Sequence, residues 1–123
     1  MKALVLDMAL KMYSDAYVKR YKPFLPILTM VQKPKDKQRF IPLAKACLTC
    51  DAYSELEKIK CPVFVIGGAQ DNIVTGEASK EIARKLGCEC YLYESLGHAA
   101  YEEAEDFNKR VYEFLNSIEK REL

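Results

Sequence analysis

Tryptophan is absent from the 123 residues, histidine occurs once, and neither sign of charge is in excess, with 19 Lys+Arg against 18 Asp+Glu. A nucleic-acid-binding domain usually carries a basic stripe, so no nucleic-acid partner is expected. Long apolar runs are missing as well. Asp7 breaks the opening Met1–Leu6, and no stretch approaches the roughly 20 apolar residues that cross a bilayer, so neither a signal peptide nor a membrane span is expected. Five cysteines, Cys47, Cys50, Cys61, Cys88 and Cys90, are an odd number in a chain that is 50% hydrophobic. Such a chain has material for a core and no need of a disulfide scaffold. The cysteines therefore read as small buried thiols of a cytoplasmic protein. Cys47-Leu48-Thr49-Cys50 has redox spacing without the preceding strand a redox fold needs, and Cys88/Cys90 would complete a zinc site only through an unusual C-x-C half. No metal and no cofactor are expected.

What is present divides near Lys60-Cys61-Pro62. Residues 1–60 read as a helical segment and linker. A helix is expected from Leu4 to Tyr21, ending before Pro23, because the residue preceding a proline disfavours the helical region. Lys33 to Arg39 is charged and proline-bearing, which reads as a surface loop that could act as a hinge. A short helix from Phe40 to Cys50 follows, then turn-forming residues from Asp51 to Leu56. Residues 61–123 change period. Val63-Phe64-Val65-Ile66 is a β-branched and aromatic run without polar alternation, the pattern of a strand buried on both faces of a parallel sheet. Gly67-Gly68 is expected to end it. Thr75 to Leu86 is an amphipathic helix with Gly87 in the C′ position, Cys88 to Tyr93 a second strand, and Asp106 to Ile118 a last helix. The fold class is α/β: a short parallel sheet of two strands joined by a crossover and flanked by helices.

Asp71 follows the first strand and His98 the second, so both fall at the carboxyl edge of the sheet, where ligands of open α/β sheets bind. Neighbouring parallel strands lie about 5 Å apart, close enough for their exit loops to bring a carboxylate onto an imidazole. Imidazole titrates near neutrality without tuning, which makes it the default general base, and a carboxylate on its Nδ1–H fixes the tautomer. The pair is expected within about 2.6–3.2 Å. The alternative is a turn-capping aspartate beside a packed histidine.

From about Asp51 to Leu115 the chain resembles the carboxyl-terminal part of α/β-hydrolases. The resemblance rests on Leu56-Glu57-Lys58-Ile59, the strand at Val63 to Ile66, the loop Gly68-Ala69-Gln70-Asp71-Asn72-Ile73-Val74, and Gly97-His98-Ala99-Ala100-Tyr101-Glu102-Glu103 leading to Phe107. It implies that Asp71 is the acid and His98 the base of a catalytic triad, and that the strands are the last two of the family's sheet. Glu105 stands where relatives often have proline. No G-x-S-x-G elbow occurs, and neither Ser14 nor Ser54, the serines before Asp71, lies beside the glycines a nucleophile turn requires. The resemblance thus implies a partial α/β-hydrolase fold with residues 1–60 as its helical lid-like segment and linker, expected to be a fragment or truncated product and inactive alone. In the complete enzyme a small-molecule ester, acyl or related substrate is implied. The other function in view is a non-catalytic interaction or oligomerisation module. The uncovered sheet edge leads us to expect a homo-oligomer, or association with the missing amino-terminal half.

Overall fold

The computed structural model describes residues 2–24, 27 and 37–120. Helix α1 spans Lys2–Met12 and α2 Asp15–Tyr21, followed by a 3-10 turn at Lys22–Phe24. Helix α3 runs over Lys37–Thr49 and a 3-10 segment over Tyr53–Lys58. Then come β1 (Phe64–Gly68), α4 (Gly76–Leu86), β2 (Glu89–Tyr93), the single turn α5 (Ala100–Glu103) and α6 (Phe107–Glu119). Among the described residues no helix is long and apolar enough to cross a membrane.

The two strands pair in parallel, with Phe64 opposite Glu89 and Gly68 opposite Tyr93. Side chains alternate across a strand, so Phe64, Ile66, Tyr91 and Tyr93 share one face while Val65, Cys90 and Leu92 share the other. On the first face the ring of Phe64 lies 5.3 Å from that of Phe114, and the Arg110 guanidinium sits 3.6 Å above the Tyr91 ring; both partners belong to α6. On the second, a side chain at Gly67 would meet Ser79 of α4 at 3.8 Å. Helices α4 and α6 therefore cover opposite faces, which makes this a three-layer α/β unit.

Local chemistry fixes the ends of α4. Thr75 caps its first turn by accepting from the Ala78 amide, and Gly87 closes it at φ 62°, in the left-handed region where a side chain is costly. Asp106 stands at the N-cap position of α6 without bonding the helix's amides. Its carboxylate instead accepts from the Tyr93 hydroxyl at 2.8 Å and from Arg110 Nε at 2.7 Å. Burial, the larger influence, and the Asp106 carboxylate together push the Tyr93 hydroxyl up to about 12.

Several expectations need correction. The helix read from Leu4 to Tyr21 is two helices, broken at Tyr13-Ser14, where Ser14 caps α2 by accepting from the Tyr17 amide. Lys37 to Arg39, read as part of a loop and hinge, lie in α3; Lys33 to Asp36 fall outside the described residues. Gly67 and Gly68 do not end β1 but complete it, because Leu92 and Tyr93 remain opposite them. The strand expected to be buried on both faces is only half-buried up to Gly68, since one helix per face is all that covers it. For the same reason no large side chain among the described residues is fully buried, and the buried apolar side chains there are Ala83, Ala99 and Ala100. The cysteines are not buried thiols: Cys47, Cys50 and Cys61 are exposed, Cys88 and Cys90 half-buried, and all five are free. Among the described residues no three metal-binding side chains come together.

Candidate functional site

The loop leaving β1 turns at Asp71, whose Oδ1 accepts from the backbone amides of Ile73 at 2.7 Å and Val74 at 2.9 Å. This is the side-chain-to-backbone turn that aspartate favours in loops. It leaves Oδ2 aimed away from the loop. His98 meets it there, with Nδ1 2.8 Å from Oδ2. The Asp71 side chain is 11% exposed and that of His98 35%, so the carboxylate is shielded while the ring keeps an open side.

Charge at Asp71 follows from these contacts. Burial, the largest single influence, raises its pKa, but the amides of Ile73 and Val74 and the hydrogen bond and charge of His98 outweigh it and hold the carboxyl below the ordinary aspartate value of 3.8. Asp71 is thus an anion at neutral pH, and the proton between the two groups belongs on Nδ1. In the neutral ring Nε2 is then the acceptor nitrogen, and it has no hydrogen-bond partner among the described residues. Chemically this is an imidazole with a fixed tautomer and a free basic nitrogen.

Backbone packing brings the two loops together. After β1, Ala69 N donates to Tyr93 O and Gln70 N to Leu96 O, each at 2.9 Å, so the parallel pairing continues past the strands. A Cβ at Gly68 would run into the carbonyl oxygens of Leu96 and Gly97, with the Gly97 carbonyl carbon at 2.8 Å. Only glycine lets the two chains approach this closely.

The amino-terminal helices reach the histidine loop as well, a contact the sequence reading did not anticipate. Ala99 N donates to Met12 O at 2.8 Å, Tyr13 donates its hydroxyl to Glu102 at 2.7 Å, and the amide and hydroxyl of Ser14 both donate to the Glu103 carboxylate. Burial and the Glu102 carboxylate push the Tyr13 hydroxyl well above the usual tyrosine range. The Ser14-Asp15 pair, a helix-start signal, was the one local hint of a break. Ser14 Oγ is committed to Glu103 and to the Tyr17 amide, which removes it from consideration as a nucleophile. No serine or cysteine among the described residues is bonded to His98.

The chain matches no known protein-family profile, no curated protein and no solved structure.

Proposed function

We propose that Asp71 and His98 are the acid and base of a hydrolase-type catalytic triad, in a chain that forms the carboxyl-terminal part of an α/β-hydrolase fold. The observation that carries this reading is the 2.8 Å contact between Nδ1 and Oδ2, with Oδ1 tied to two amides and Nε2 open. Placement of both residues after neighbouring parallel strands supports it further, as does the sequence resemblance around Gly68–Val74 and Gly97–Glu103. In the reaction His98 Nε2 takes a proton from the nucleophile's hydroxyl as that oxygen attacks the substrate carbonyl, then returns it to the leaving group. Asp71 holds the ring and stabilises the imidazolium between those steps. The nucleophile comes from outside these 123 residues, on a preceding segment or a separate chain, and the substrate is a small ester or acyl compound.

The test has two arms. The 123-residue chain alone is expected to show no turnover of short-chain nitrophenyl esters, because loss of the nucleophile collapses the triad. Supplied with a polypeptide bearing a nucleophile elbow, encoded upstream in the same reading frame or nearby, it should hydrolyse such esters, and His98→Ala should reduce that by about 10³-fold or more. Activity in the longer protein that is indifferent to His98→Ala overturns the reading.

A non-catalytic interaction module is favoured by one separate observation. Helix α3 presents Phe40, Ile41, Leu43 and Leu48 at 53–87% exposure and makes at most marginal contact with any other described element. A helix of that length is marginal in isolation.

A further inference from the structure

The break between α1 and α2 looks at first like a simple interruption of a helix. Its two residues, Tyr13 and Ser14, and Met12 at the end of α1 all make contacts with the segment 97–103. The Met12 carbonyl accepts from the Ala99 amide, and a Cβ at Gly97 would stand 2.9 Å from that same oxygen. His98 therefore lies between two residues, Gly97 and Ala99, whose backbones are pressed on the Met12–Tyr13 peptide. Ala99 is fully buried and Ala100 almost so, which leaves the backbone there little room to adjust.

Glu103 secures this arrangement. Its carboxylate receives two donors from one residue, the amide and hydroxyl of Ser14, a bidentate, charge-assisted pair of the stronger kind. Ser14 Oγ in turn accepts from the Tyr17 amide. A single carboxylate thus fixes the start of α2, the end of α1 and, through Met12 O, the backbone on either side of the histidine. From the amino-terminal helices Glu102 takes the tip of Tyr13, and it also bonds the Tyr101 hydroxyl.

We propose that Glu103 is a positioning residue: acting through Ser14 and the Met12 carbonyl, it holds the His98 loop so that Nδ1 stays on Asp71. Residues 12–14 are then part of the scaffold of the dyad and not a cover over it. This rests on the acid–base reading of Asp71 and His98, and the experiment separates the two. His98 is the sole histidine, so its ring Nδ1–H is an unambiguous resonance in the nitrogen-15-labelled full chain, and its exchange with water reports how firmly the contact to Asp71 is held.

Glu103→Ala and Ser14→Ala should each speed that exchange about tenfold, the factor supplied by roughly one net hydrogen bond of lost restraint. Ser14→Thr, which keeps both donors, should restore slow exchange. Glu102→Gln, whose carboxylate bonds the Tyr13 and Tyr101 hydroxyls and neither Ser14 nor Met12, should leave it unchanged. A merely structural tether would alter overall stability without moving this signal. Unchanged exchange in a folded Glu103→Ala chain overturns the proposal; should that variant fail to fold, Ser14→Ala, which keeps the amide bond to Glu103, decides in its place. Asp71→Asn is the independent control. Loss of the protected signal there with no response at Glu103 defeats this proposal alone. Retention of the signal in Asp71→Asn, or its absence from the unaltered chain, defeats the acid–base reading beneath it.

Discussion

The β-α-β unit and the amino-terminal helices are held by different means. From Phe64 to Tyr93 the chain is specified twice, once by local signals such as Thr75 and Gly87 at the ends of α4, and again by strand pairing and a helix on either face. Helices α1 and α2 dock on that unit through polar contacts around Met12, Tyr13 and Ser14, and α3 scarcely docks at all. The lesson is that apolar content does not decide where a chain is well packed. Helix α3 carries large hydrophobic side chains, yet they face solvent because nothing in the described residues offers a complementary surface.

Breaking the comparison most severely means attacking the close approach at Gly68. Gly68→Ala places a methyl group against the carbonyls of Leu96 and Gly97, and we expect a loss of about 3 kcal/mol or more in denaturant-induced unfolding, at the upper end of overpacking costs. Gly87→Ala is the matched control. There a Cβ meets nothing within 4 Å and only the left-handed backbone, φ 62°, is offended, so the expected loss is about 1 kcal/mol. Equal losses would mean that the packing at Gly68 is not what holds the two loops.

Asp71→Ala comes next, at about 2 kcal/mol near neutral pH, since it removes an acceptor from two amides and from His98. Its pH signature is specific. A carboxyl whose folded pKa lies below its unfolded value stabilises the fold above that unfolded value and ceases to do so as pH falls through the folded one. Asp71 is such a group, so its contribution is present above the ordinary aspartate value of 3.8 and fades below it. Unfolding curves of Asp71→Ala and the unaltered chain should converge as the pH is taken below that point. A constant gap would contradict the lowered carboxyl.

In the weaker region Pro42 sits inside α3, where a missing N–H and a ring clash cost up to about 3 kcal/mol of helix stability. Pro42→Ala should raise the helical circular-dichroism signal without altering the unfolding of the β-α-β unit. The smallest effect is expected from Leu48→Glu. That side chain is 87% exposed, and the change should stay within about 0.5 kcal/mol; a larger loss would reveal a packed partner for α3.

Much of the β-α-β unit could be read from the residues because its signals are local. Glycine after an amphipathic run, threonine before it, a strand with β-branched residues preceding and a tyrosine-bearing strand following point to one architecture. The contact between Asp71 and His98 was legible for the same reason: once both strands were placed, the two residues had to share an edge. The break at Ser14 was not, since apolar spacing runs across it and the deciding partner, Glu103, is 89 residues away. Glycines 67 and 68 were misjudged because propensity disfavours them in strands, whereas pairing with Leu92 and Tyr93 carries β1 through both and the close passage of Leu96 and Gly97 selects glycine at 68. Burial of the cysteines failed on a different ground. Thiol burial depends on how much surface surrounds the residue, and a two-stranded sheet with one helix per face supplies little.

Those cysteines have a practical consequence. Cys47, Cys50 and Cys61 lie exposed before β1, and Cys88 and Cys90 are half-buried beside and within β2. The chain thus carries its own set of footprinting labels, sorted by region. Timed alkylation followed by peptide mass analysis would show the first three modified promptly and the last two more slowly, speeding up as the β-α-β unit opens. One sample then reports separately on the two halves of the molecule, without introducing a single foreign residue.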